Sequence, residues 1–383
     1  MFTKLKKIDI PIVVILVLFM GMSTMLVHSA SIDHPKISIS ISKNLLTYLV
    51  GFVAFIVISM IDFRVWIKIA IYLYGLGIVL LVAVYLFAEA TNGAKGWFPL
   101  PAGFSFQPAE LVKYILIIAL TAWFIRRRGD TLQLGTDLIP AVFIVLIPFV
   151  LVVIQPDLGN AVIFLGILVG MIWIGNIKYS HFLLGLVLVV GGGYLLLQLY
   201  LHNHEPIYAF LKDLGVGHWA NRLDTFLFPD EASKDHKFQV ENSMRAIGSG
   251  GLAGEGFLKG SLVHRNFIPF AYSDSIFVVV GEEFGFRGAA VLLLIYFILI
   301  YRMIQISIQS VHISGSYIVV GVVSMFVFQV FENVGMLIGL MPLTGITLPF
   351  ISYGGTSLLI NMISLGTVMS VKLHQDADPF EIK

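Results

Sequence analysis

The chain has 383 residues, 58% of them hydrophobic and only 12% charged, with a net charge of +1. Soluble domains carry about 25% charged residues, so this composition excludes an ordinary soluble enzyme, a disordered chain and a polyanion-binding surface. The absence of cysteine removes disulfides, thiolate metal sites and a cysteine nucleophile.

At about 20 apolar residues per crossing, ten segments read as membrane helices. In chain order they cover roughly 10–29, 45–62, 66–88, 107–125, 138–155, 158–176, 181–201, 274–301, 314–338 and 352–371. The first is expected to stay in the protein, since no small-residue cleavage site follows it. The expectation is an all-α polytopic membrane protein forming one transmembrane domain over residues 1–383.

Short-loop lysines and arginines orient it. With the N-terminus inside, the cytoplasmic side collects Lys4, Lys6, Lys7, Arg64, Lys68, Arg126, Arg127, Arg128, Lys178, Arg302, Lys372 and Lys383. The short outer loops hold only Lys36, Lys43 and Lys95. Both termini are therefore expected in the cytoplasm, and one long loop, about 202–273, outside.

Charges inside membrane spans are costly and point to function by default. Glu110 and Lys113 open the fourth span at i, i+3 spacing and can pair. Ser105 is the expected N-cap there, with Pro108 in the first turn and Glu110 favoured by the helix dipole. Asp157 is expected to cap the sixth span. In the seventh, Gly191-Gly192-Gly193 would let helices approach closely. Within the eighth, Glu283 and Arg287 form an i, i+4 pair beside Glu282. Glu332 and Asn333 lie near the outer end of the ninth.

Asp274 stands where the long loop enters the eighth span. Spacing alone allows a helix N-cap or a general base at the water–bundle boundary. The loop glycines Gly248 to Gly256 contain a G-x-G-x-x-A match, but no βαβ unit surrounds it, so a nucleotide site is not expected. His202, His204 and His264 form no metal pattern and are expected to face solvent.

Five stretches together resemble the SEDS family of bacterial cell-wall proteins, which comprises RodA, FtsW and SpoVE. They are Asn92 to Trp97 with Phe104 to Lys113; Gln155 to Ala161; Arg222 to Pro229 with Ala246 to Gly251; Asp274 to Phe277 with Gly281 to Phe286; and Met341 to Gly355. The spacing from Gly250 to Asp274 is most like RodA. One departure stands out. Many members have Pro-Glu-x-His-Thr-Asp-Phe where this chain has Pro269-Phe270-Ala271-Tyr272-Ser273-Asp274-Ser275.

The resemblance implies ten transmembrane helices and a peptidoglycan glycosyltransferase that polymerises lipid II at the outer face of the cytoplasmic membrane, for cell elongation and shape. It implies a class B penicillin-binding protein as transpeptidase partner, and places the family's essential aspartate on Asp274 and its glutamate–lysine pair on Glu110 and Lys113. Such chemistry needs an apolar groove for the polyprenyl tail, cations for the diphosphate and a base for the acceptor hydroxyl. Asp274 is the expected base. Arg222, Lys113 and Arg245 are candidates for the diphosphate, with Glu110 and Ser352 as further substrate-binding candidates. A divalent cation, Mg2+ or Mn2+, would help neutralise the diphosphate, although no motif requires one. A lipid II flippase and a non-catalytic scaffold for the penicillin-binding protein are the rival readings.

Overall fold

The computed structural model describes residues 7–32, 40–89, 96–100, 104–127, 130–213, 217, 220, 224, 226–228 and 234–375. Arg222 lies outside them. The described residues are helical apart from one small hairpin and an isolated bridge between Leu132 and Ile177. Its first helices are α1 (Ile10–Ser31), α2 (Ile41–Met60), the short α3 (Phe63–Lys68) and α4 (Ala70–Phe87). Strands β1 (Phe98–Leu100) and β2 (Phe104–Phe106) pair antiparallel, with Pro99 opposite Ser105. After them come α5 (Pro108–Phe124), α6 (Ile139–Ile154), α7 (Leu158–Ile174) and α8 (Tyr179–His202). The long loop contributes α9 (His204–Asp213), α10 (Lys234–Ser249) and α11 (Ser261–His264). The final three are α12 (Ile276–Gln309), α13 (Ile313–Leu337) and α14 (Gly355–Leu373).

Among the described residues nine helices are long and apolar enough to cross a membrane, and the 17-residue α7 is a shorter apolar tenth. All ten expected spans are thus present. The third differs at its start, because the chain breaks at Ile69 between α3 and α4.

Helices α5 and α14 form the heart of the bundle, most of their residues being buried. Helix α14 packs on α2, and α13 packs on α5, α7 and α12. The α7–α13 contact is close because Gly166 and Gly170, one turn apart, lie under Phe328 and Ser324. Small residues on one face let two backbones approach within a bilayer.

Two expectations fail for reasons of packing. Helix α8 stands away from the bundle: Tyr200 is its one buried residue, and Gly191, Gly192 and Gly193 have nothing near them. The Glu283–Arg287 pair does not form, because α12 breaks between them at Gly285 (φ 62°, ψ −160°). A broken helix inside a membrane must satisfy its backbone elsewhere. The glycine loop does this. Glu255 and Gly256 donate N–H groups to the carbonyls of Glu282 and Glu283 at 2.9 and 3.0 Å. In return, Phe286 and Arg287 donate to the carbonyls of Gly251 and Leu252 at 2.8 and 3.2 Å. A side chain at Gly250 or Gly254 would collide with the α12 backbone, which explains the glycines.

The two buried glutamates on this turn also hold the loop. Glu282 accepts from the N–H groups of Leu262 and Val263 at 2.6 and 3.1 Å. Glu283 meets Ser29 of α1 and His264 of α11. His264 is therefore engaged rather than solvent-facing. At the other end of α12, Arg302 and Lys372 converge on Asp9, the N-cap of α1, and so join α1, α12 and α14.

Candidate active site

Asp274 belongs to a tight turn that ends the long loop. The N–H groups of Ser273 and Ser275 both reach the Phe270 carbonyl, at 2.9 and 3.3 Å. Helix α12 is capped by Ser275, whose side chain makes no cap hydrogen bond, so Asp274 stands one residue before the cap. The N-cap reading of Asp274 is thereby corrected. Its carboxyl group is half-buried and faces the backbone of Gly345, a residue held at φ 75°.

Three successive carbonyls fix this turn from one direction. Tyr353 N–H donates to the Tyr272 carbonyl at 2.9 Å, Ser352 Oγ to the Ser273 carbonyl at 2.6 Å, and Asn333 Nδ2 to the Asp274 carbonyl at 2.7 Å. Asn333 Nδ2 also reaches the Ile346 carbonyl at 2.6 Å, and Ser352 Oγ accepts from Leu348 N–H at 2.8 Å. Asn333 belongs to α13, and the loop supplying Ser352 and Tyr353 is itself sunk into the bundle, where Tyr48 and Tyr296 donate to the carbonyls of Phe350 and Pro349. These bonds hold the backbone of the turn, and with it the position from which the Asp274 side chain projects. Beside it, burial and then the charges of Asp274 and Tyr353 push the Tyr272 phenol up, which keeps it neutral.

The bundle also holds a buried polar group. Glu110 and Lys113 form an ion pair at 2.7 Å with side chains 4% and 0% exposed. Pro108 begins α5 as expected, but its N-cap is Gln107 and no side chain caps it. Ser105 belongs to β2 instead, its carbonyl accepting from Thr356 Oγ1 at 2.6 Å. Asp157 caps α7 as expected, accepting from Asn160 N–H at 3.2 Å. Its other oxygen accepts from Gln107 Nε2 and Asn160 Nδ2 at 2.7 and 2.8 Å. Glu332 lies within electrostatic range of both Lys113 and Asp157. The structure thus brings Glu110, Lys113, Asp157 and Glu332 into one buried group, joined to the Asp274 turn through Asn333, the residue after Glu332.

The remaining candidates are placed differently. Arg245 is 69% exposed on α10, 3.5 Å from Glu241. Gln239, on the same helix, reaches Ser275 Oγ at 3.4 Å, so α10 borders the Asp274 turn. Ser352 acts on the backbone of that turn. Among the described residues no three His, Asp or Glu side chains converge as metal ligands. A divalent ion held by one or two carboxylates would take its remaining ligands from substrate oxygens and water.

Sequence reasoning missed one constellation. Tyr200 Oη and His204 Nε2 both meet Asp224 Oδ1, at 2.5 and 2.9 Å, and so tie the outer end of α8 to the loop. His202, by contrast, is exposed.

The family model described as "Cell cycle protein", for FtsW, RodA and SpoVE, matches residues 5–377. The chain belongs to the FtsW/RodA/SpoVE family. It is 31% identical over 382 residues to stage V sporulation protein E of Bacillus subtilis, covering 98% of this chain and 99% of that protein. It is 33% identical over 325 residues to the peptidoglycan glycosyltransferase MrdB of Escherichia coli, covering 85% and 83%. A chain solved in work on the coordination of polymerization and crosslinking by a peptidoglycan synthase complex superposes with a TM-score of 0.79. That pair is 25% identical and covers 97% and 99% of the two chains. RodA of Thermus thermophilus, at 23% identity and a TM-score of 0.68, shares the fold, covering 97% of this chain and 98% of that one. Membership of this bacterial family and ten apolar helices make the chain a multi-pass protein of the bacterial cytoplasmic membrane.

Proposed function

We propose that this chain is a peptidoglycan glycosyltransferase that joins lipid II units at the outer face of the membrane, with Asp274 as general base. The observation that carries this reading is the fixed aspartate: a carboxyl group at the mouth of the bundle whose backbone is pinned through three consecutive carbonyls. Relatives named peptidoglycan glycosyltransferase support the reaction class.

Asp274 takes the proton of the acceptor sugar hydroxyl while that oxygen attacks the donor's anomeric carbon. The bond to the diphosphate breaks and the diphosphate leaves with its lipid. A single inverting displacement needs one base and a stabilised leaving group, which suits one aimed aspartate. The leaving group needs cations. Arg245 is a surface cation on the helix bordering the turn, and Arg222 is the second candidate. Lys113 is buried and committed to Glu110, so it serves the site from within the bundle. The polyprenyl tail needs an apolar wall open to the bilayer, and the exposed apolar side chains of α8 supply one. A class B penicillin-binding protein is the proposed transpeptidase partner, a reading supported by the similarity to a chain of a synthase complex. A role in elongation follows from the RodA-like loop spacing.

The test is reconstitution with fluorescently labelled lipid II. Polymer made by the purified protein with its partner supports the proposal. Translocation without polymer would make it a transporter, and neither activity would make it a scaffold.

A further inference from the structure

Helix α1 measures the bilayer. Its N-cap Asp9, bound by Arg302 and Lys372, makes an ionic knot at the cytoplasmic edge. Ser29 lies about 30 Å further along α1 at 1.5 Å per residue, which is the thickness of a hydrocarbon core. The outer edge therefore falls near Ser29, and with it near Glu283 of α12, which Ser29 meets. Exposure along α12 agrees. None of residues 276–285 is exposed, and the first side chain to leave the protein is Phe286, at 67%. From there exposed apolar side chains continue through Val291, Leu294 and Phe297 to Ile308.

The glycine loop meets α12 at this same level. Phe286 and Arg287 donate their N–H groups to the carbonyls of Gly251 and Leu252, and the Phe257 ring lies 6.2 Å from that of Phe284. Leu252 is 69% exposed beside them, and Phe257 and Leu258 are exposed as well. Backbone at an apolar boundary must be satisfied. The N–H groups of Gly254, Glu255 and Gly256 all reach carbonyls, at 2.7, 2.9 and 3.0 Å. The Glu255 carboxylate is occupied by the N–H of Ser261 at 2.9 Å. Lys259 and Arg287 are exposed, and their long stems can carry a cation from apolar surface to a headgroup phosphate.

We propose that residues 251–258 anchor the outer loop in the membrane, with Leu252 and Phe257 set among the outer-leaflet acyl chains where these meet the headgroups. Lys259 and Arg287 face the phosphates above them. The occupant is lipid because the patch is continuous with the exposed apolar stripe of α12, which starts at Phe286 beside it. Part of the long loop thus belongs to the membrane rather than to the water outside it. The inference needs neither Asp274 as base nor any particular reaction.

The chain has no cysteine, so each nitroxide label needs a single substitution in the full chain, reconstituted in nanodiscs of phosphatidylcholine and phosphatidylglycerol. Collisions with oxygen, which concentrates in hydrocarbon, are compared with collisions with a water-soluble nickel chelate. Leu252→Cys and Phe257→Cys should give an oxygen-to-nickel ratio within twofold of Phe286→Cys. That ratio should lie below Phe297→Cys at mid-span and at least fivefold above Glu205→Cys on the exposed part of α9. Leu252 makes the cleaner site, since Phe257 packs on Phe284 and its replacement could loosen the loop. A ratio at Leu252 equal to that at Glu205 would put the segment in water and overturn the proposal. A label at Leu252 that neither reagent reaches would mean that protein, a second copy included, covers the patch, and would overturn it too.

Discussion

Replacing Asp274 by Asn separates a base from a structural residue. The amide keeps the size of the carboxylate and can still accept a hydrogen bond. The anchors of this turn are backbone carbonyls, held by Tyr353, Ser352 and Asn333, and the substitution touches none of them. The helix cap is Ser275, so the stability cost should stay below about 1 kcal/mol, the scale of a lost cap. An amide takes no proton at neutral pH, and losing a general base costs roughly 10²–10⁴ in rate. That corresponds to about 3–5 kcal/mol of activation free energy. Folding and turnover therefore part by orders of magnitude. The assay is single-turnover polymerisation of fluorescent lipid II by purified Asp274→Asn with its partner, beside wild type, with unfolding temperature and monodispersity measured on the same samples. A well-folded variant within tenfold of wild type would refute the assignment, and the base would have to be sought at Glu110, Asp157 or Glu332.

Four further outcomes follow from the same geometry. Gly285→Ala forces a side chain into φ 62° against the backbone of the glycine loop, and should lower the unfolding temperature far more than Gly185→Ala on the open face of α8. A cysteine at the exposed Glu205, in a chain with no native thiols, should react with an impermeant maleimide in intact spheroplasts; labelling only after lysis would invert the proposed topology. Burial pushes the Asp9 carboxyl up, but hydrogen bonds from Arg302 and Lys372 outweigh it and hold the group below its ordinary 3.8. A depressed carboxyl stabilises above its unfolded value, so this contribution should be intact at pH 6 and lost as pH falls below about 4, which acid unfolding of wild type against Asp9→Asn would reveal. Tyr200→Phe removes the hydrogen bond to Asp224 and should speed hydrogen exchange at the outer end of α8, while rates in α14 stay unchanged.

Features that depend on neighbours in sequence were legible from the start. Ten spans could be read because a bilayer demands runs of about 20 apolar residues whatever they pack against. Pairing of Glu110 with Lys113 and capping by Asp157 follow from spacing within one turn. The position of Asp274 at a loop–helix junction was readable as well. Its cap assignment was ambiguous, because one residue of register decides whether a side chain caps a helix.

What the tertiary structure decided is which faces meet. Glu283 and Arg287 have the spacing of a helical pair, yet a glycine in a membrane helix looks the same in sequence whether the helix continues or breaks. Only the backbone of the loop, arriving at Glu282, Glu283, Phe286 and Arg287, makes a break at Gly285 affordable. The Gly191–Gly193 run is a packing surface by composition and packs on nothing, since α8 stands off from the bundle. Asn333 and Ser352 hold the Asp274 turn from 59 and 79 residues away, and no local pattern encodes such distances. Sequence alone determined the membrane class, the spans and the residues with chemistry to offer, because hydropathy, helical period and charge cost act locally. Tertiary structure determined which of those residues share a site, because that depends on contacts between helices whose order along the chain says little about their adjacency.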